Sequence, residues 1–271
     1  MDLICGSYFK HQCRHQFTDY RSESSCFFNY KEDKSIENNL VFCRPEFLRD
    51  LHKTDIVKDE FVLVTHNSDI NFTEALAQEV LTALPKMTHW YTQNLMTANE
   101  KISPIPIGIA NPKWPHGNTD TFEKVMSESN EKDNLVYVNF NYLTNPKERL
   151  YCFEQLGMEP IVYPKPNELE TYKVFLTETL EGYLRDVSKS RFIVSPDGNG
   201  KDCHKVWESL LMRAIPIVTD SFFARRFRQM GVPILIINDW NEFESLELSE
   251  DLYNEMWSGF DPSILTFDFF K

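Results

Sequence analysis

The sequence predicts an α/β protein built from two doubly wound layers. Short apolar runs rich in β-branched residues alternate with amphipathic stretches of helical spacing, and a polar stretch at 116–133 divides that alternation in two. Strands and helices alternating at this interval are the pattern of parallel strands joined by crossover helices. A chain of 271 residues exceeds the common single-domain size, and 42% hydrophobic content suffices for two cores. The expected domains are 1–125 and 126–250. Residues 251–271 are expected to pack back towards the first domain, because Tyr253, Trp257, Phe260, Phe267, Phe269 and Phe270 are too aromatic for a free tail.

In the first half, residues 39–43 read as a strand, 46–52 as a short helix and 60–65 as a strong strand. A helix follows from Asn71 to Leu84, with Asn71 or Thr73 as its cap and Pro85 beyond its end. Residues 105–107 give another short strand. Stretch 116–133 thins out in apolar residues after Val125 and suits a hinge. Beyond it, strands are expected near 135–139, 160–163, 191–194, 215–218 and 233–237. Helices are expected near 146–156, 168–188, 202–212, 222–229 and 240–248.

Residues 191–218 compress one strand, a glycine turn, a helix and a second strand into a single crossover. Phe192 to Val194 is stopped by Pro196-Asp-Gly-Asn-Gly200, whose glycines are free to take positive φ. From Asp202, the expected cap, Cys203, Val206, Trp207, Leu210 and Leu211 recur at helical spacing. Open parallel sheets bind ligands at the carboxyl ends of their strands, so the turn is a candidate anion site, with the helix N-terminus facing a phosphate. Glu208 lies off the apolar stripe, where it could accept from a ribose diol. An ordinary polar turn followed by a solvated Lys205–Glu208 pair fits the spacing equally well.

The order Phe-x-x-Ser-Pro-x-Gly-x-Gly, a basic residue three before a Glu, then Ile-Pro-Ile-Val, resembles the donor half of exostosin-like glycosyltransferases. The likeness is close over 191–218 and loose through the rest of the carboxyl half. It implies a GT-B fold, two Rossmann-like domains facing a central cleft, and inverting transfer from a nucleotide sugar, UDP-sugar and UDP-xylose foremost, to a glycan hydroxyl. On that likeness Ser195, Pro196, Gly198, Asn199, Gly200, Lys205 and Glu208 bind donor. The strand-to-helix turn that opens the second series, Asn139 to Arg149, could place Asn141, Thr144 or Arg149 near the diphosphate, while Glu148 and Arg149 in the first helical turns also read as ordinary surface charges. The family typically carries Arg where Lys205 stands, so Lys205 would act as a point charge rather than a fork. A GDP-fucose-dependent fucosyltransferase-like enzyme and a noncatalytic nucleotide- or carbohydrate-binding protein are the alternatives.

Inverting transfer needs a base for the acceptor hydroxyl, and Val62-Leu-Val-Thr-His66-Asn-Ser-Asp69 puts two candidates just past a buried strand. Asp69 is the first choice and His66 the second; the competing role is a turn and helix cap. The proline-rich stretch from Pro104 to Asn118 offers Asn111, Trp114 and His116 to an acceptor, although Trp114 also suits a domain joint.

A net charge of −13 with no block of basic residues argues against nucleic acid as a partner. No run approaches the roughly 18 apolar residues that span a bilayer, and no signal-peptide pattern opens the chain. The expected setting is cytoplasmic, or a lumen if an anchor has been removed. Cys5, His11, Cys13 and His15 match no Cys-x-x-Cys knuckle, and Asp-x-Asp is absent, so no divalent metal or other cofactor is expected, and the cysteines read as reduced thiols.

Overall fold

The computed structural model describes residues 3–22, 25–54, 57–159 and 180–266. The protein is mixed α/β, with one six-stranded mixed sheet and one four-stranded parallel sheet. Two compact units hold them, Ile4–Ile107 and Gly108–Lys271, the latter also taking in Met1–Leu3. The division thus falls at 107/108, whereas the composition pointed to 125/126.

In the first unit the order of elements is α1 (Gly6–His11), β1 (His15–Ser22), β2 (Ser25–Glu32), β3 (Leu40–Cys43), α2 (Leu48–Lys53), β4 (Phe61–Thr65), α3 (Glu74–Ala83), β5 (Met87–Thr92) and β6 (Ile102–Pro104). They pair in the order β2-β1-β3-β4-β5-β6. Every pair is parallel except β1–β2, an antiparallel hairpin registered from His15↔Glu32 to Ser22↔Ser25. The hairpin makes the sheet mixed rather than purely parallel, and nothing in the sequence pattern anticipated it. Its connection lacks the Asn-Gly or Asp-Gly signature of two-residue hairpin turns, which is why it reads as ordinary polar chain. β5 was also unforeseen, because Thr88 and His89 dilute its alternation, although Met87, Trp90 and Thr92 are buried. The strand expected at 105–107 lies instead at 102–104, and Ile105 only continues the edge through its amide to the Thr92 carbonyl, 3.0 Å. Thr73 caps α3, its hydroxyl accepting from the Leu76 amide.

The second unit contains α4 (Thr119–Ser127), β7 (Asn134–Tyr137), α5 (Pro146–Gln155), a helix α6 over 180–188, β8 (Ser190–Val194), α7 (His204–Leu211), β9 (Ile215–Thr219), α8 (Phe222–Gln229), β10 (Leu235–Ile237) and α9 (Glu250–Trp257). The supposed hinge at 116–133 is largely α4, capped by Asn118 and anchored through the fully buried Phe122 and Val125. The helix expected at 240–248 is a 3-10 turn, Trp240–Ser245. The expected strand at 160–163 and the first part of the expected helix at 168–188 lie outside the described residues. Among the described strands the order β10-β9-β8-β7 runs one way, without the reversal that defines a doubly wound sheet.

Alternation fixes the core of this unit. Phe192 and Val194 on β8 share a face with Ile215 and Ile217 on β9, and pack with Phe140, Cys152, Phe153, Ile237 and Trp240. Tyr253 and Trp257 of α9 lean on that cluster, so the segment after 250, expected to return to the first domain, packs on its own unit's sheet. Its residues 267–271 lie outside the described set. On α7, Trp207 is fully buried and meets Phe227 edge-on at 5.1 Å. α8 starts at Ser221, whose buried hydroxyl accepts from the Ala224 amide at 3.1 Å. Ser221→Ala is expected to cost about 1 kcal/mol and to lower the melting temperature by about 2–4 °C in a calorimetric scan.

Candidate functional site

β8 ends at Val194, and Ser195 to Cys203 carry the chain to α7 across the carboxyl end of a parallel strand. The glycines of that turn do not use left-handed φ; among the described glycines only Gly108, Gly157, Gly231 and Gly259 do. Gly198 is needed for clearance instead. A Cβ there would stand 3.1 Å from Cys203 Sγ and 3.3 Å from Arg149 Nη2, and the Gly198 amide already donates to Cys203 Sγ at 2.9 Å. That amide is therefore spent inside the fold, contrary to the expectation that the turn's N–H groups face a ligand.

Arg149 explains the turn's rigidity. Nearly buried on α5, it donates from Nε to the Asp197 carbonyl at 2.9 Å and from Nη1 to the Asn141 carbonyl at 2.6 Å. Asn145 adds a bond from Nδ2 to the Gly198 carbonyl, 2.9 Å. Asp197 pairs with Lys201, and burial raises its pKa while that lysine opposes the shift. Asn141 folds its amide oxygen back to the Leu143 N–H, and the Thr144 methyl faces Gly198. The sequence-predicted residues Asn141, Thr144 and Arg149 thus converge on the 195–203 turn. Arg149 builds the turn from behind rather than facing a ligand.

Two groups are left over. The Ser195 hydroxyl is buried, its residue 2% exposed, and has no hydrogen-bond partner among the described residues. A buried hydroxyl without a partner costs about 1–3 kcal/mol, and such a cost is tolerated at a site that a ligand completes. The second orphan is Nδ1 of His116. Burial lowers the pKa of this imidazole, with Glu208 opposing and His204 reinforcing the shift. His204 in turn holds the Gly108 carbonyl at 2.7 Å through Nδ1.

Glu208 and Lys205 are not a solvated pair. Lys205 Nζ donates to the Tyr183 hydroxyl at 3.0 Å, and that hydroxyl donates to Glu208 Oε2 at 2.9 Å. Glu208 is 8% exposed, and its Oε1 has no protein partner among the described residues. Burial lowers the Lys205 pKa to about 8, against the attraction of Glu208. Tyr183 escaped sequence reading because it sits in the helix before β8, far from the motif in sequence. Asp202 is not the cap of α7; it accepts from Trp207 Nε1 at 2.7 Å, and the cap residue Cys203 makes no side-chain cap bond. Burial holds Cys203 neutral, its pKa pushed up to about 12. Pro196, Asn199 and Gly200 complete the turn.

The proline-rich stretch belongs to this second unit, not to the first domain as expected. Gly117 closes it, since a Cβ there would lie 2.4 Å from the Ala110 and Asn111 carbonyl oxygens. Trp114 is 51% exposed and stacks loosely on His116, with ring centroids 6.3 Å apart, so it does not behave as a sealed joint residue. Asn111 accepts the Trp114 amide through its carbonyl, 2.9 Å.

In the first unit, His66 and Asp69 follow the carboxyl end of β4. His66 is 1% exposed, with Nδ1 accepting from the Asn67 amide at 2.8 Å and Nε2 donating to the Pro106 carbonyl at 3.0 Å. Both ring nitrogens are engaged by backbone, whereas Asp69 is exposed. A buried network of Thr65, Thr92, Trp90, Gln93 and Asn94 underlies the loop, Gln93 accepting from the Asn67 amide at 2.8 Å and donating to the Ser68 carbonyl. Sequence reading missed Gln93 and Asn94 along with β5.

Cys5, Cys13, Cys43, Cys152 and Cys203 are free thiols, and among the described residues no group of three or more His, Cys, Asp or Glu is placed to hold a metal ion. Among the same residues no helix is long and apolar enough to cross a membrane. No family model matches the chain, and no curated protein matches it.

Proposed function

We propose that the chain is an inverting glycosyltransferase with the GT-B arrangement, moving a sugar from a UDP-sugar, UDP-xylose among the candidates, to a glycan hydroxyl. The observation that carries this reading is the unpartnered, buried Ser195 hydroxyl on a turn at the carboxyl end of a parallel strand. Beside it in the chain, the helix that leaves the turn presents Glu208, with one oxygen held by Tyr183 and the other given no hydrogen bond among the described residues. In this reading Ser195 and the start of α7 meet the diphosphate, Lys205 offsets its charge, and Glu208 Oε1 accepts from the ribose diol. His116 supplies a further polar contact. Asp69 takes the acceptor proton.

Thermal unfolding with UDP, GDP and their sugars tests the reading. UDP at a hundredfold excess over its dissociation constant is expected to add about 2.7 kcal/mol of stability. Stabilisation by GDP alone would favour fucosyl transfer, and stabilisation by neither would remove the nucleotide-sugar reading.

Lys205 adds a pH dependence. Its folded pKa of about 8 lies below the ordinary 10.5, so the unfolded chain binds more protons between those values and this group's contribution to stability rises with pH across that window. Diphosphate affinity moves the other way: the ammonium is present below pH 8 and lost above it. UDP affinity measured by calorimetry is expected to fall from pH 7 to pH 9.5. Lys205→Arg, charged throughout, is expected to flatten the profile.

A further inference from the structure

The second unit has a concave site of its own at the opposite end of its sheet. It encloses about 520 Å³, within the roughly 300–1,000 Å³ of small-molecule pockets. Its walls include the buried side chains of Leu211, Met212 and Leu265 and the rings of Trp257 and Phe260. Lys132 precedes β7, Ser188 precedes β8, and Met212 and Arg213 precede β9, so the pocket lies at the amino ends of the strands whose carboxyl ends carry the Ser195 turn.

The charges on its lining that no opposite charge neutralises are cationic. Lys132 Nζ donates to the Ser190 carbonyl at 2.9 Å and the Met212 carbonyl at 3.0 Å, which leaves one ammonium hydrogen uncommitted. Arg213 stands with its guanidinium 5.1 Å from the Trp257 ring centroid. Neither cation pairs with a carboxylate among the described residues. The lining carboxylate, Glu128, is held at both oxygens by Arg185, at 2.9 and 2.7 Å. Arg191, nearby, donates to Glu250 at 2.9 Å. Burial, with Arg213 and Arg191 close, lowers the Lys132 pKa to about 7, as expected of an ammonium held among cations without a counter-charge. Trp257 adds an indole N–H that is buried without a hydrogen-bond partner among the described residues. Arg213 and the protonated form of Lys132 thus stand on a largely apolar pocket without a carboxylate partner among the described residues, in a chain of net charge −13.

We infer that this pocket binds a small amphipathic anion, a single carboxylate or sulfonate on an apolar body, with its head at Lys132 and Arg213 and its body against Leu211, Trp257 and Phe260. The site is separate from the nucleotide turn and stands whether or not the chain transfers sugar. Helix α7 joins the two ends, with Lys205 in its first turn, Glu208 in its middle and Leu211 at its last residue.

Fluorescence titration of the full chain with 1-anilinonaphthalene-8-sulfonate tests it. One saturable site is expected, displaced by octanoate and not by octanol or octylammonium. Arg213→Asn tolerates the left-handed backbone at this position, φ 56°, and removes a side chain that is exposed in the fold. It is expected to weaken octanoate about tenfold, as losing one bond to a charged group does. Lys132→Met is expected to do the same, with its melting temperature reported alongside. Equal displacement by octylammonium, absence of saturable binding, or wild-type octanoate affinity in Arg213→Asn would each overturn the inference.

Discussion

Glu208→Gln is expected to leave the protein folded and to lower affinity for UDP and UDP-sugar on the order of a hundredfold. Glutamine keeps a carbonyl oxygen for the Tyr183 hydroxyl, the bond now made at 2.9 Å to Oε2. Its other atom is an amide nitrogen, which donates and cannot accept from a diol. A charged hydrogen bond lost at a nearly buried site is worth about 1.5–3 kcal/mol, and the donor hydroxyls would face another donor besides. Glu208→Ala is expected to match that loss and also to free Tyr183, so a fall in melting temperature should accompany it. Calorimetric titration with UDP and a UDP-release assay measure the two effects. Wild-type affinity in Glu208→Gln would show that no ribose diol is read by this carboxylate.

The crossover at 191–218 was legible because its signals are local. A β-branched run, a turn of Pro, Asp, Gly and Asn and a 3.6-residue stripe each stand within a few residues, and β8, α7 and β9 fall where those signals put them. Helix α8 matches its expected range for the same reason: Ser221 caps it, and Phe223, Ala224 and Phe227 bury one face. The chemistry between elements was not legible. Arg149 reads as a surface charge in the first turns of α5, yet it is 8% exposed because two backbone carbonyls from other loops receive it. Tyr183, which couples Lys205 to Glu208, carries no local mark at all. The glycine turn was identified for the wrong property: Gly198 serves by leaving room for Cys203 and Arg149 rather than by positive φ. Three strands were lost for a related reason, since the β1–β2 hairpin lacks a turn signature and in β5 Thr88 and His89 interrupt the apolar residues. Period-2 alternation is weakest where polar side chains are buried in a network, and Thr65, Thr92 and Gln93 form one beneath the 66–69 loop.

That loop carries the second large effect. Asp69→Asn is expected to lower the turnover rate about 10²- to 10⁴-fold, the span that general-base catalysis contributes, while UDP still raises the melting temperature as in the wild type. The local structure favours Asp69 over His66 as the base. The imidazole lies beneath the surface with Nδ1 accepting from the Asn67 amide and Nε2 donating to the Pro106 carbonyl, so it has no lone pair to offer without breaking a backbone bond. Asn67 sits at a φ of 64°, a left-handed turn that Asn tolerates and that carries the chain on to the exposed Asp69. His66→Gln is therefore expected to act on the loop: a lower melting temperature, with turnover at the permissive temperature kept within a few-fold of the wild type, because the ring's two nitrogens serve backbone bonds rather than an acceptor. Full turnover in Asp69→Asn, with turnover lost in a folded His66→Gln, would transfer the role from the carboxylate to the imidazole.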